Sequence, residues 1–175
     1  MLLTLAVVAQ TKPGVEDQGV YRNSECGFSF KPPSGLTDVT TKAGSSNDDP
    51  NAVKLLLFEL SGPDDTNYDW RGLAVQSYPR DKVKVEDDGE AEAKLSRTIV
   101  GNAKSIAAPQ TMTIGGTNYV LTQYEREHGM LTQHSKVYAT IIHGQLVAFA
   151  FTANSPANLD SMAESLKTVQ VKRGK

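Results

Sequence analysis

The chain of 175 residues is 39% hydrophobic and 22% charged, with a formal net charge of −2 at pH 7. That length fits one domain of radius of gyration about 16 Å, large enough to bury about 70% of its extended-chain surface without help from a metal or disulfide. The charge balance argues against a general nucleic-acid binder, and Cys26, the only cysteine, excludes an intrachain disulfide and a cysteine-based zinc cluster.

Residues 1–9 read MLLTLAVVA, uncharged and almost wholly apolar, and the polar Gln10, Thr11 and Lys12 follow at once. The run is too short to span a bilayer, so no integral membrane insertion is expected. It is similar to the late hydrophobic part of a secretory signal, with Val7 and Ala9 as small residues before a cut after Ala9. A periplasmic or extracellular location follows if that cut is made, and a cytoplasmic one if the run is instead a buried strand or an apolar end. Residues 1–19 are therefore read as signal remnant and polar leader, 20–171 as a single domain, and 172–175 as a basic tail.

Val20 and Tyr21 begin a short strand, residues 23–25 turn, and 26–31 form its partner, ended by Pro32 and Pro33, which cannot continue a hydrogen-bonded ladder. Residues 38–51 are polar and loop-like. The apolar run Val53–Leu60 reads as a strand buried on both sides. Residues 61–69 make an exposed connection, and 70–78 form a further strand stopped by Pro79.

Between residues 86 and 100 the period changes. Ala91, Leu95 and Ile99 recur every four residues, with Ala103 as their continuation, and Glu86, Asp87 and Asp88 suit the positive pole of a helix that Gly101 ends. A second helix is signalled by Ser155 as cap, Pro156 at the first helical position, and Leu159, Met162, Ala163 and Leu166 on one face.

Between the two helices, four segments rich in Val, Ile, Thr, Tyr and Phe are divided by Gly115-Gly116, His128-Gly129 and His143-Gly144. This is the pattern of an antiparallel meander. With two-residue loops at the last two turns, Val120 faces Val137, Val137 faces Ala150, Ala139 faces Ala148 and Ile141 faces Leu146. That side is small and aliphatic, as a surface under a helix should be. The other side carries Tyr119, Tyr138 and Phe149 in one row, Leu121, Lys136 and Phe151 in the next, then Gln123 and His134. The fold class expected is α+β, a predominantly antiparallel sheet with helical covering layers.

The mixed aromatic side supplies the partner-binding candidates: Tyr119, Gln123, His134, Lys136 and Tyr138. Aromatic rings give rigid apolar contact, while Lys136 and Gln123 would orient an anionic or peptide-like partner. The competing arrangement has a helix or the N-terminal hairpin covering this side, so that its aromatics are core, above all Phe149 and Phe151.

Catalytic patterns are absent by contrast. His128 and His143 sit in turns, and Ser135 points away from its neighbour His134 on a strand. Asp64, Asp65, Asn67 and Asp69 lack the glycine and terminal glutamate of a calcium loop. No catalytic residue, cofactor or metal ion is assigned.

Tyr21-Arg-Asn-Ser-Glu-Cys-Gly27-Phe-Ser-Phe30, with the following Pro32-Pro33-Ser-Gly35, resembles the opening of PsbP-like domains. These are relatives of the extrinsic oxygen-evolving-complex subunit of photosystem II. The order continues through Leu55-Leu-Leu-Phe58, the helix near 88–100, the Gly115-Gly116 meander and the terminal helix, covering residues 20–171. The resemblance implies an alpha-beta-alpha sandwich and an exported accessory or interaction role, and it carries no family-wide catalytic residue. The function expected is recognition of another macromolecule, a protein or peptide, without catalysis. The alternative is a small hydrolase or ligand-processing protein with a loop-assembled site, in which His134 or His128 would approach a carboxylate and a nucleophile.

Overall fold

A computed structural model describes residues 15–40, 53–60 and 70–172. In chain order these form β1 (Val15–Asp17), β2 (Val20–Asn23), β3 (Phe28–Phe30), β4 (Thr37–Asp38), β5 (Val53–Leu60), β6 (Arg71–Pro79) and α1 (Asp88–Val100). Then come β7 (Lys104–Ser105), β8 (Gln110–Ile114), β9 (Thr117–His128), β10 (Leu131–Ile142), β11 (Gln145–Ala153), α2 (Pro156–Ala163) and β12 (Gln170–Val171).

The large sheet runs β4-β5-β6-β11-β10-β9-β7, with β8 also paired to β9, and the small one runs β1-β2-β3-β12. The strand pairings described are antiparallel throughout. Side chains alternate across the large sheet, so each of its faces needs a cover. On one face, Ala91, Leu95 and Val100 of α1 pack on Val137, Ala139, Leu146, Ala148 and Ala150. The alanines there let the helix approach closely. On the other, Phe149 and Phe151 meet Phe28 and Phe30 of the small sheet and Leu159, Met162 and Leu166 of α2 or the turn after it. Burying each such large apolar side chain contributes roughly 1.5–3 kcal/mol. Among the described residues no helix is long and apolar enough to cross a membrane.

The β10–β11 register is the expected one, with Val137 opposite Ala150, Ala139 opposite Ala148 and Ile141 opposite Leu146. The β9–β10 register is not. The loop is Gly129-Met130 rather than His128-Gly129, and Leu131 pairs with His128. Gly129 takes φ 62°, the arrangement of a hairpin in which glycine leads the turn rather than closing it. Moving the loop by one residue shifts cross-strand partners by two, so every side chain keeps its face while the rows change. Tyr138 therefore lies opposite Leu121, Lys136 opposite Gln123 and His134 opposite Glu125.

Other departures are local. Residues 15–17, expected in a polar leader, form β1 and pair with β2. Val171, the last residue expected in the domain, pairs with Phe28, and Lys172, expected in the basic tail, donates its backbone N–H to the Gly27 carbonyl at 2.8 Å. The terminal helix stops at Ala163 and continues as a 3-10 turn through Thr168, while Ser155 caps it without a side-chain hydrogen bond. Asp87, by contrast, accepts from the Glu90 N–H at 2.8 Å and starts α1. A bulge between Lys54 and Leu56 lets Leu55 and Leu56 both enter the same core. The secretory-signal run, most of the 38–51 loop and the Asp64–Asp69 carboxylates lie outside the described residues.

Candidate functional site

The small sheet and α2 cover the mixed face, and this splits the five predicted partner-binding residues. Tyr119 and Tyr138 are core, 1% and 5% exposed. Their rings meet edge-on, centroids 6.3 Å apart at 88°, and Tyr119 also meets Phe149 edge-on at 6.3 Å. Burial pushes both phenols up to about 12, with Asp160 and Glu164 adding to the shift at Tyr138. The Tyr119 hydroxyl is buried; Thr117 flanks it and opposes that rise, but no hydrogen bond of ordinary geometry closes.

Gln123, Lys136 and His134 are half-buried at the end of this face. Lys136 donates to the Asp160 carboxylate of α2, tying helix to sheet. His134 Nδ1 lies 3.1 Å from Glu125 Oε1, which gives half of what a hydrolase would require. The adjacent Ser135 faces the opposite side of the sheet, where its hydroxyl is 3.2 Å from that of Thr152. The hydroxyl nearest in sequence is thereby aimed away from the histidine, and among the described residues no hydroxyl is hydrogen-bonded to it.

The opening segment does structural work. Asn23, 1% exposed, donates through Nδ2 to the Tyr21 hydroxyl at 2.9 Å, and its Oδ1 accepts from the Cys26 N–H at 2.7 Å. A buried amide satisfied this way fixes the turn between β2 and β3. Cys26 is buried, and burial pushes its thiol up, opposed by a hydrogen bond to Ser77.

A groove that sequence reasoning missed lies on the α1 side. The helix crosses β9, β10 and β11, leaving a channel beside it over β6 and β5. Ser135, Thr152, Gly72 and Glu59 follow one another across β10, β11, β6 and β5 as one row of its floor, and Ala150, Ala74 and Leu57 form the next. Ile99 and Val100 at the end of α1, with Ala103 just beyond it, make the wall of a cavity of about 200 Å3. Trp70, Arg126 and Gln133 line it and also line a second cavity of about 350 Å3, which adds Leu131 and Asn154. The two cavities share these three lining residues, and the second lies toward the β9–β10 tip, where Met130 is 94% exposed.

Arg126 donates to the Val100 carbonyl and Arg97 to the Ala103 carbonyl, so the C-terminal end of α1 is held in place beside the groove. Arg97 also sits over the Tyr124 ring, 5.8 Å from its centroid. The signal for this site was the alternation of Trp70, Gly72, Ala74 and Gln76 on one face of a strand, a large ring beside residues too small to cover it. Its consequence depends on where α1 lands, which no local pattern states.

No family model matches the chain, and no curated protein does. Solved structures do. Cyanobacterial PsbP from Synechocystis matches with TM-score 0.55 and 17% identity over 98% of this chain and 99% of that one. A Bacteroides thetaiotaomicron protein matches with TM-score 0.49 and 13% identity over 84% of this chain; this chain spans about half its length, 46%. LpqN, involved in cell envelope biogenesis of Mycobacterium tuberculosis, matches with TM-score 0.47 and 10% identity over 83% of each chain.

Proposed function

Starting from the PsbP-like α+β fold of the chain, we propose that it is an exported, non-catalytic accessory protein that binds another macromolecule, and that the groove beside α1 is where it binds. One observation carries this reading. The groove combines the only tryptophan of the sequence with side-chain amides and hydroxyls on a floor of small residues, whereas the tyrosines first expected to meet a partner are packed inside. A cleft with an apolar base and a few convergent polar groups is the usual form of a binding site. Export is supported by the apolar run 1–9 and the small residues Val7 and Ala9.

The test is capture on immobilised protein from an extract of the cells that make it, wild type beside Trp70→Ala and Gln133→Ala. Retention by wild type and loss by both variants is the expected result. Equal retention by all three, or none by wild type, overturns the groove as the site. Intact mass of the native protein decides export separately, the expected chain beginning at Gln10.

A further inference from the structure

Building on that reading, we infer that the groove takes a neutral carbohydrate chain, one sugar ring in the inner cavity and the next toward the β9–β10 tip. A sugar ring presents an apolar C–H face and a rim of hydroxyls that both donate and accept. The lining offers the complement of each. Trp70 provides an aromatic plane, and Leu57, Ile99 and Ala103 provide aliphatic surface beside it. Gln76, Gln133 and Asn154 each carry a donor and an acceptor on one planar group, and no described residue engages these amides.

Charge and size point the same way. Among the described lining residues the charged groups are Glu59 and Arg126, one of each sign, so that lining favours neither an anion nor a cation. About 200 Å3 is below the usual range for a whole drug-sized ligand but suits a single ring, and the adjoining cavity of about 350 Å3 lets the chain run on. An extended peptide fits less well. The floor is a sheet face, whose backbone groups are spent on neighbouring strands, so it has no ladder to offer a peptide.

Trp70 is the single tryptophan beside six tyrosines, so emission excited beyond the tyrosine absorption band reports on this groove. The full-length protein is titrated with chitohexaose, cellohexaose, maltohexaose and mannohexaose, and the same glycans are printed on an array with other neutral chains. A saturable change in emission with at least one of them is expected. Gln133→Ala should weaken half-saturation about fivefold or more, the equivalent of one lost hydrogen bond, and Lys167→Ala, on the far side of the sheet, should leave it unchanged. Circular dichroism establishes that each variant is folded.

No change in emission with any probe and no binding on the array overturns the inference, as does a sugar bound equally well by wild type, Trp70→Phe and Gln133→Ala. If the groove variants lose a captured cellular protein while no glycan binds, the accessory-binding reading stands and the carbohydrate falls. If capture fails as well, both fall.

Discussion

The imidazole of His143 rests on the α-carbon of Gly27: a Cβ built at residue 27 stands 2.4 Å from Nδ1 and 2.5 Å from Cε1. Gly27 belongs to the turn between β2 and β3 in the small sheet, and His143 to the turn between β10 and β11 in the large one. Two turns far apart in sequence therefore touch where the sheets meet. Gly27 has φ 72° and His143 φ 48°, so both sit in the left-handed region that side chains enter at a cost.

Gly27→Ala should destabilise the protein by about 1–2 kcal/mol, lowering Tm by about 2–8 °C in thermal denaturation. The His143 ring is exposed and can turn aside, so the backbone accounts for the larger share. Gly27→Ala/His143→Ala should recover only the steric part. A Gly27→Ala protein as stable as wild type would contradict the left-handed turn.

Glu92 gives a pH dependence. Burial, then the neighbouring carboxylates Asp88 and Asp87, raise its carboxyl from 4.5 to about 7, against the opposing pull of Arg80. A raised folded value means that the native state holds the proton more tightly than the unfolded chain. The resulting stability is full below the unfolded value of 4.5 and declines as pH rises to about 7. Glu92→Gln should therefore raise Tm at pH 8 and change it little at pH 4.5. Equal shifts at both values would show that ionisation is not the cause.

Arg80 organises the approach to α1. Its Nε donates to Asp88 Oδ1 at 2.8 Å, while its two terminal nitrogens reach the carbonyls of Val83, Val85 and Glu86 at 3.2, 3.1 and 3.0 Å. Arg80→Ala should cost about 2–3 kcal/mol in urea unfolding. Arg80→Lys should rescue little, since an ammonium lacks the planar fork. A loss below about 0.5 kcal/mol would place the group among ordinary surface residues.

Tyr119 separates packing from hydrogen bonding. Removing its unspent hydroxyl in Tyr119→Phe should leave stability unchanged or raise it by up to about 1 kcal/mol. Tyr119→Ala removes a ring 1% exposed and should cost about 3–5 kcal/mol. Chemical denaturation of the two variants measures both. A large loss in Tyr119→Phe would mean that the hydroxyl is satisfied after all.

Amino-acid order alone determined the antiparallel meander, because the turns of residues 115–116 and 143–144 punctuate alternating strands, and it determined both helices, because Ala91, Leu95, Leu159 and Met162 recur at helical spacing. Face assignment came with it, since strand parity survives even the shifted loop at Gly129. Tertiary structure alone decided which faces are covered. Whether Tyr119 and Tyr138 meet solvent depends on where the small sheet and α2 dock, and whether Trp70 borders a groove depends on how far α1 reaches across the strands. Those are contacts between segments distant in sequence, fixed by complementary shape across layers, and no periodicity within a single segment encodes them.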